Sequence, residues 1–522
     1  MARADAVVVG GGHNGLACAA LLSKAGLKVL VLEAGGSAGG MARNLALADG
    51  FRVPELAHLL YLLHPEVEAE LNLFRHGLRL ADSDLPTVAL GPGRPPLLLP
   101  SDPAKAEGLM AADLEAWTGL RERLLRFART LAPFRVKAPP RLGSGSGADW
   151  RSLAQLGWAI RSLGRDEMRE FLRIVLMNVA DLVEDELQDP LLQGAVAFDG
   201  VLGTGYGPRA PGTVLPLLYR LAGSAAGRQG AVALPQGGMG AVGAAFARAA
   251  EAAGAVLRFD AAVLQVAVED GRAAGVVLGD GERIEAPVVV SSLDPKRSFL
   301  DLVGPRHLDT GFVRRVRNIR ARGAAAKLNL ALDGLPEAPG LTRRHLAGRI
   351  VVAPSVAAIE RAADAVKYGR HSETPVLEVV IPSLADPELA PPGRHVLSAV
   401  VQYAPPTTAG GTSAAVRQGF AELALATLEN VMPGLRRLVR AQELLLPEDI
   451  QSRTGASGGH WHHGELAIDQ MLMLRPVPGA QNYATPIDGF YLCGAGCHPG
   501  GGIMGAAGMN AARRILAREG RA

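Results

Sequence analysis

The beginning of the chain carries the pattern that most limits the possible fold. The segment ADAVVVGGGHNGLACAALLSKAGLKVLVLEAG reads as a strand over Ala6–Val9, a glycine turn, a helix, and a second strand over Lys28–Leu32 that ends at Glu33. Glycines in such a turn let the backbone approach a pyrophosphate at a helix N-terminus, and an acid after the second strand accepts hydrogen bonds from ribose hydroxyls. We therefore predict a Rossmann-like unit that binds a dinucleotide without a 2′-phosphate. The residues in GxGxxG spacing are Gly10, Gly12 and Gly15.

A second glycine-rich stretch lies near the other end of the chain. Residues 489–512 contain eight glycines and no Asp, Glu, Lys or Arg. A membrane span is a poor explanation, because each glycine weakens a helix by about 1 kcal/mol relative to alanine and gains little from lipid. The pattern instead predicts a strand at 489–492, a turn at 494–502 and a helix over 503–518. Such a turn before a helix start suits an anionic or electron-accepting cofactor.

Composition limits the class of protein. The 522 residues include 54 basic and 51 acidic ones, and the basic residues are dispersed, which disfavours nucleic acid as a partner. Three cysteines, Cys18, Cys493 and Cys497, form neither a disulfide framework nor a CxxC pair. The opening MARADAVVVGGG reaches a strand too early to hold a signal peptide, so we expect a cytoplasmic protein. With 48% hydrophobic residues, peripheral contact with the inner membrane stays open.

The middle of the chain divides into a helical part and a sheet-rich part. From about Leu71 the periodicity is that of amphipathic helices, most clearly at 110–134 and 166–187. Between residues 327 and 403, strand-like runs without long helical crossovers predict a largely antiparallel sheet. The fold class is therefore α/β, or α+β overall, with a mixed or antiparallel second sheet and a helical region between the two sheets.

A second GxGxxG, formed by Gly238, Gly240 and Gly243, raises the question of an NAD site. Asp260 follows at a suitable distance, but Pro235 interrupts the strand that such a turn requires. We therefore predict one dinucleotide site, at the N-terminus.

Three separated blocks carry a resemblance to a known family. They are the N-terminal turn with GGSAGGMAR, the PQGGMG block with the strands after it, and YLCGAGCHPGGGIMGAAG. Together they resemble the FAD-dependent phytoene desaturase and carotenoid isomerase family. They are most similar to its branch that includes pyridine nucleotide-disulfide oxidoreductase domain-containing protein 2, as are AKLNLALDGLP and HGELAIDQMLMLRP.

The resemblance implies a discontinuous domain organisation. A Rossmann-like FAD-binding domain would combine residues 1–72, 230–302 and 481–522. Residues 73–229 would form a helical cap, and residues 303–480 a substrate domain with an antiparallel sheet. The start of the last helix would then offer partial positive charge to the flavin ring, where negative charge develops on reduction.

The same resemblance assigns residues to parts of FAD. The AMP half would be held by the N-terminal turn and the acid after it, with Gly10, Gly12, Gly15 and Glu33. The pyrophosphate and ribityl side would lie along Gly39, Gly40 and Arg43, and the adenine would meet the backbone of Val263. The ribityl chain and the flavin would be held by the C-terminal turn, with Gly494, Ala495, Gly496, Met504 and Gly505.

Lys327 is the first candidate for a catalytic role. It is an isolated cation in an apolar strand, AAAKLNLAL. Related flavin amine oxidases have a lysine at a similar position that holds a water against flavin N5, which implies that Lys327 orders the flavin or assists a reaction with oxygen, with burial lowering its pKa. A surface lysine is the structural alternative.

A histidine cluster supplies further candidates. His460, His462 and His463 invite a metal site, but a second ligand pair at a distance is missing, so no metal is predicted. The resemblance places His463 and Glu465 near the flavin, as pocket wall or proton-transfer groups. His58, together with Glu55 in PELAHLLYLL, is a further pocket candidate.

These observations lead to three hypotheses about function. The first is an FAD-dependent oxidoreductase that dehydrogenates or isomerises a hydrophobic polyene- or isoprenoid-like substrate by hydride transfer to flavin N5, with oxygen or a quinone as electron acceptor. The second is an FAD-dependent amine oxidase, which scarce aromatic residues disfavour, since amine pockets commonly use paired rings. The third is a low-turnover flavin-bearing scaffold that binds a membrane or protein partner. The substrate and the oligomeric state stay open.

Overall fold

A parallel sheet built from both ends of the chain forms the centre of the molecule. The computed structural model describes residues 2–141, 147–337, 340–407 and 410–520. Within them, all neighbouring strands of this sheet run parallel. The three inner strands are short, mainly buried aliphatic runs, as expected for a sheet covered on both faces. This confirms the predicted Rossmann-like unit. The strand order is Val256–Arg258, Val29–Leu32, Ala6–Val9, Val288–Ser291 and Phe490–Leu492.

Three helices and a four-stranded sheet share a core with the parallel sheet. The helices His13–Lys24, Met239–Ala252 and Ala506–Arg518 pack together. The first and last approach so closely that a side chain at Gly508 would clash with the backbone oxygen of Asn14. The neighbouring sheet orders the strands Ala2–Arg3, Arg283–Glu285, Arg272–Leu278 and Val263–Glu269.

The sheet predicted between residues 327 and 403 is present and larger than expected. Its neighbouring strands are antiparallel except for one parallel pair, Arg349–Val352 with Thr87–Leu90. Two of its strands come from residues 87–99, within the range predicted as cap, because runs as short as TVAL and LLL cannot be told from loops by periodicity. The strand order is Val439–Leu445, Ala325–Leu332, His395–Gln402, Leu377–Val380, Arg349–Val352, Thr87–Leu90 and Leu97–Leu99.

The two faces of this seven-stranded sheet differ in chemistry. One face is aliphatic and packs against the helix Ala414–Val431 through Phe420, Ala424 and Leu428. The alternate residues of the same strands are polar, for example Lys327 and Asn329. Successive side chains of a strand point to opposite faces, so the alternation in AKLNLAL places the apolar side chains on one face of the sheet and Lys327 and Asn329 on the other.

The helical region forms the predicted cap. The amphipathic stretch 166–187 is two helices rather than one, because Asn178 caps the second by accepting a hydrogen bond from the N–H of Asp181 at 2.8 Å. The helices of this region are Ala111–Leu131, Gly147–Arg161, Arg165–Ile174, Val179–Glu186, Pro190–Val201 and Val214–Leu221.

Shorter elements connect these units. Across the described ranges, no helix combines the length and the apolar character that crossing a membrane requires. The remaining helices are Pro65–Leu71, Thr310–Arg317, Arg343–Leu346, Val356–Lys367, Leu435–Leu438 and Pro447–Thr454, with a π-helix at Arg297–Val303. Single 3₁₀ turns lie at Pro103–Lys105, Ala132–Val136, Pro305–His307, Pro382–Leu384, Pro387–Leu389, Ser457–Gly459, Ile468–Gln470 and Leu472–Leu474. Two-stranded pairs join Asn44–Ala48 to Phe51–Pro54, Leu80–Asp82 to Leu234–Pro235, and Ser224–Ala225 to Arg228–Gln229.

Candidate active site

A cavity of about 450 Å³ lies between the parallel sheet and the polar face of the seven-stranded sheet. It opens at the carboxyl ends of the parallel strands, where α/β sheets bind their ligands. Three parts of the molecule line it. They include Val9, Gly10, Leu32, Glu33 and Ser292 at the parallel sheet; Lys327, Glu378 and Val400 in the other sheet; and Asp199, Pro216, Tyr219 and Arg220 from the cap.

The N-terminal glycine turn forms one end of this cavity. Gly10 and Gly12 line it, and Gly10 has a φ of +96° that other residues rarely adopt. Gly15 lies beneath the turn, where a side chain would clash with the backbone oxygen of Gly10. Glu33 lies beside the turn and accepts hydrogen bonds from the N–H groups of Gly11 at 2.7 Å and Gly35 at 2.9 Å. A carboxylate is thus fixed at the place predicted for ribose recognition.

The second predicted glycine segment adjoins this turn. The N–H of Gly39 donates to the oxygen of Gly11 at 2.8 Å, and a Cβ at Gly40 would lie 3.0 Å from the Cα of Gly12. Gly40 and Arg43 line the cavity, as does Val263, whereas Gly39 is not part of the lining. This end of the cavity therefore presents mainly backbone, which suits a phosphate-bearing ligand such as FAD.

The second GxGxxG has a packing role. A Cβ at Gly243 would lie 2.6 Å from the oxygen of Ala42, and the N–H of Gly240 donates to Asn44 Oδ1 at 3.0 Å. These glycines let the helix that starts at Met239 press against the backbone of residues 39–44. The close contact explains the motif without a second dinucleotide.

The C-terminal turn divides into lining and supporting residues. Ala495 lines the cavity, together with Gly502 and Ile503. The last helix begins at Ala506 instead of Ile503, because Gly505 before it has a positive φ of 71°. The other predicted residues of this turn are outside the cavity lining and pack against protein. Gly494 lies against Ser292, and Gly496 against Pro295. Gly505 lies against Val67 and Phe246, and the Met504 sulfur lies 3.5 Å from Arg135 Nη2. Their direct contact with a cofactor stays a prediction.

The opposite end of the cavity is built from charged side chains. Lys327 lines it and is 2% exposed, so it is not a surface lysine. Glu378 lies on the same face of the sheet, since Val400 pairs with both Lys327 and Glu378 across neighbouring strands. His58 is 3% exposed, and its Nε2 lies 3.1 Å from Glu378 Oε1. The structure thus brings two predicted candidates together around an unpredicted carboxylate.

Glu378 is the centre of a buried charge network. Arg220 Nη2 donates to Glu378 Oε2 at 3.0 Å, and Arg349 Nε donates to the same oxygen. Arg220 and Arg349 also pair with Asp199. Burial alone would raise the pKa of Glu378, but the two guanidinium groups outweigh burial and hold that pKa well below its usual range. Glu378 is therefore ionised.

The other titratable groups of this end are shifted toward their neutral forms. Burial lowers the pKa of Lys327 well below its ordinary value, and the charge of Glu378 offsets only part of that effect. Burial and then the charge of Lys327 lower the pKa of His58 to about 4. His58 is thus a neutral imidazole at neutral pH.

The histidine-rich loop contributes three lining residues, Trp461, His462 and His463, and one internal pair. His463 lines the cavity, and burial lowers its pKa to about 4. Glu465 lies outside the lining, with its Oε2 3.4 Å from His460 Nε2. Arg475 holds the loop in place by donating to the backbone oxygens of Gly464 at 3.3 Å and Glu465 at 3.2 Å, and it ties the loop to the C-terminal turn by donating to the oxygen of Ala495 at 2.9 Å. Among the described residues, no group of three or more His, Cys, Asp or Glu side chains is placed to hold a metal ion.

Sequence reasoning misses the buried charged residues near Lys327. The signal that marks Lys327, a lone charge in an apolar strand, is also present at Glu378 in VLEVVI and at the start of RIVV, where Arg349 stands. Glu55, named beside His58, lies apart from the cavity lining and bonds to Arg43, whose Nε donates to Glu55 Oε2 at 3.0 Å.

Several known proteins are similar to this chain. The model of a family described as flavin containing amine oxidoreductase matches residues 15–516. The chain is 34% identical to pyridine nucleotide-disulfide oxidoreductase domain-containing protein 2 of Rattus norvegicus, over 98% of this chain and 93% of that protein. It is 29% identical to a lycopene-forming phytoene desaturase of a Paracoccus species, over 62% and 61% of the two chains. The predicted resemblance is confirmed.

A solved structure shares the fold at low sequence identity. Putrescine oxidase, in a complex with putrescine, matches with a TM-score of 0.59 and 16% identity over 99% of both chains. At that identity the likeness concerns the fold alone.

Proposed function

Because this chain belongs to the family of flavin-containing amine oxidoreductases and binds FAD, we propose that it dehydrogenates or isomerises an apolar substrate of polyene or isoprenoid type. The chemistry that FAD supplies when bound is acceptance of a hydride at N5. The protein's part is to hold the substrate carbon in place and to exclude water.

The observation that carries this proposal is the wall of the cavity between its two ends. That wall is aliphatic and aromatic, and several of its side chains are almost fully buried. An apolar wall beside a dinucleotide cradle positions a hydrocarbon chain without any nucleophile or strong acid, which hydride removal does not need. The wall includes Leu56, Leu59, Leu62, Leu202, Pro216, Trp461, Leu466 and Ile503.

The family's description also names amines, so amine oxidation is the competing function. A protonated amine needs an unpaired carboxylate or an aromatic cage. Within the described lining, every carboxylate already has partners: Glu33 bonds to backbone N–H groups, Asp199 and Glu378 to arginines, and Asp294 to Ser457. The rings of Tyr61 and Tyr219 in the lining already face guanidinium groups, with Arg220 and Arg135 at 4.1 and 5.1 Å from the ring centres. A cationic substrate would have to displace one of these partners, which favours the apolar substrate.

An anaerobic titration tests the proposal. Purified protein loaded with FAD is mixed with polyenes, isoprenoids or primary amines, and the visible flavin absorbance is followed. We expect an apolar alkene that is dehydrogenated to bleach the flavin, and one that is isomerised to give a product of unchanged mass without net bleaching. Amines should leave the flavin oxidised, and readmitting oxygen or adding a quinone should restore the colour of bleached protein. Bleaching by amines with no response to any apolar compound would replace the proposal by amine oxidation.

A further inference from the structure

Two polar atoms at the sheet end of the cavity lack partners. Lys327 Nζ and His58 Nδ1 have no hydrogen-bond partner among the residues that the structure describes. Both side chains line the cavity, and they are 2% and 3% exposed. Leaving a buried donor or acceptor unpaired destabilises a protein, so such atoms in a cavity mark a place where a ligand completes the bonding.

Their hydrogen-bonding roles follow from the neighbouring carboxylate. Glu378 is ionised and held by two arginines, so its Oε1 can only accept a hydrogen bond from His58 Nε2 at 3.1 Å. The neutral imidazole then carries its proton on Nε2, and Nδ1 is an acceptor. The amine of Lys327 is a donor in either protonation state. Lys327 and His58 therefore offer one donor and one acceptor at the sheet end of the cavity.

The surroundings limit the kind of group that fits. Lys327 and Glu378 lie on strands separated by one other strand, so their backbones are about 10 Å apart. His58 bonds to Glu378 and lies close enough to Lys327 to feel its charge, and the lining nearby is apolar, with Leu59 and Leu202. A ligand for this place has a single small polar head on an apolar body.

We propose that this end of the cavity binds the hydroxyl group of an apolar alcohol, which accepts a hydrogen bond from Lys327 and donates one to His58 Nδ1. This assignment rests on the proposed function and narrows its substrate class. A carboxylate brings no proton for His58, an ammonium brings no acceptor for Lys327, and a hydrocarbon pairs with neither atom.

Calorimetry on FAD-loaded protein tests this with ligands of matched length: decanol, methyl nonyl ether, decylamine and decanoate. The ether accepts from Lys327 but cannot donate to His58. We expect decanol to bind about tenfold more tightly than the ether, the scale of one hydrogen bond, and more tightly than the amine and the acid. Equal affinity for alcohol and ether, or preference for the amine or the acid, overturns the assignment.

Two variants separate the two bonds. Lys327→Met should weaken the alcohol and the ether alike, by about tenfold. His58→Gln keeps a donor for Glu378 but lacks the Nδ1 acceptor, so it should weaken decanol to the level of the ether and leave the ether unchanged. Lys105→Met, at a lysine whose side chain is 77% exposed, is the matched control and should bind as wild type. If Lys327→Met changes FAD retention but not alcohol affinity, Lys327 serves the cofactor and the assignment is wrong.

The test also separates this assignment from the proposed function. Tight, hydroxyl-dependent binding with neither bleaching of the flavin nor isomerisation of any apolar compound would remove the function and keep the hydroxyl site. Bleaching of the flavin by hydrocarbons, with no preference for decanol over the ether, would support the proposed function and remove the hydroxyl site. Should a variant not fold, the wild-type ligand series alone decides.

Discussion

The two ends of the cavity are built by different means. The glycine end presents backbone, with Gly10, Gly12 and Gly40 in the lining and one fixed carboxylate, Glu33. The sheet end presents charged side chains whose partners come from the sheet, the cap and the N-terminal segment. The glycine end depends on local chain conformation, and the sheet end depends on contacts between residues that are distant in the chain. Substitutions at the two ends should therefore have different effects on the protein.

The energetic contrast follows from burial. At the glycine end, Glu33 bonds to neighbouring backbone and stays partly accessible, so its loss removes a binding contact. At the sheet end, Glu378 is 2% exposed and compensates the charges of Arg220 and Arg349. Removing one member of such a network leaves the others uncompensated in a low-dielectric interior.

The largest expected effect is on folding, at the sheet end. Glu378→Gln should lower the free energy of unfolding by about 3 to 5 kcal/mol, the cost of breaking a buried pair from one side. The measurement is denaturant unfolding followed by circular dichroism. Glu107→Gln is the matched control, because Glu107 forms an exposed pair with Arg344 and should change stability by less than about 1 kcal/mol. Equal stability of the two variants would show that the network contributes nothing to folding.

The same contrast explains how much of the site could be predicted from sequence. The glycine end is encoded in one continuous stretch, and the strand Ala6–Val9, the turn and Glu33 are where the pattern places them. Lys327 also stands out locally, as a charge in an apolar strand. Asp199 and Arg220 are likewise lone charges, each in an apolar helix of the cap. Only the folded chain shows that these two helices bring their charges to Glu378 and Arg349 of the sheet.

The C-terminal segment shows a different limit. Its composition indicates close backbone packing, but not whether each glycine faces a ligand or another part of the protein. Gly502 lines the cavity, whereas Gly494 and Gly496 lie against Ser292 and Pro295. Both uses of glycine leave the same trace in the sequence.

A second prediction concerns both ends and pH. Burial lowers the pKa of His13, at the glycine end, and of His58, at the sheet end, to about 4. An unfolded histidine has a pKa of about 6.5, so below that pH the unfolded state binds protons that the folded state does not, and stability falls as pH falls toward 4. Between pH 7 and pH 5, each histidine should cost about 2 kcal/mol of unfolding free energy.

Single substitutions assign this pH effect to each end. His13→Gln and His58→Gln should each reduce the loss of stability between pH 7 and pH 5 by about 2 kcal/mol relative to wild type. Denaturant titrations at the two pH values measure it. An unchanged pH dependence in either variant would mean that the pKa of its histidine is the same in the folded and the unfolded protein.

The smallest expected effect is on cofactor affinity, at the glycine end. Glu33→Ala should weaken FAD binding about tenfold, roughly 1.5 kcal/mol, because one charge-assisted hydrogen bond to the adenosine ribose is lost. Glu33→Gln keeps an acceptor without the charge and should fall between wild type and the alanine variant. Because the side chain also bonds to Gly11 and Gly35, adenosine binding measured beside FAD and ADP binding separates a general loosening of the turn from a ribose contact. Adenosine, which has the ribose but no phosphates, should lose affinity by the same factor as FAD, since the contact belongs to the ribose alone.

Glu33→Ala could instead weaken the binding of FAD and ADP but not that of adenosine. The carboxylate would then act by shaping the glycine turn for the phosphates. In that case the glycine end would bind FAD through its backbone to a greater extent than the ribose assignment requires.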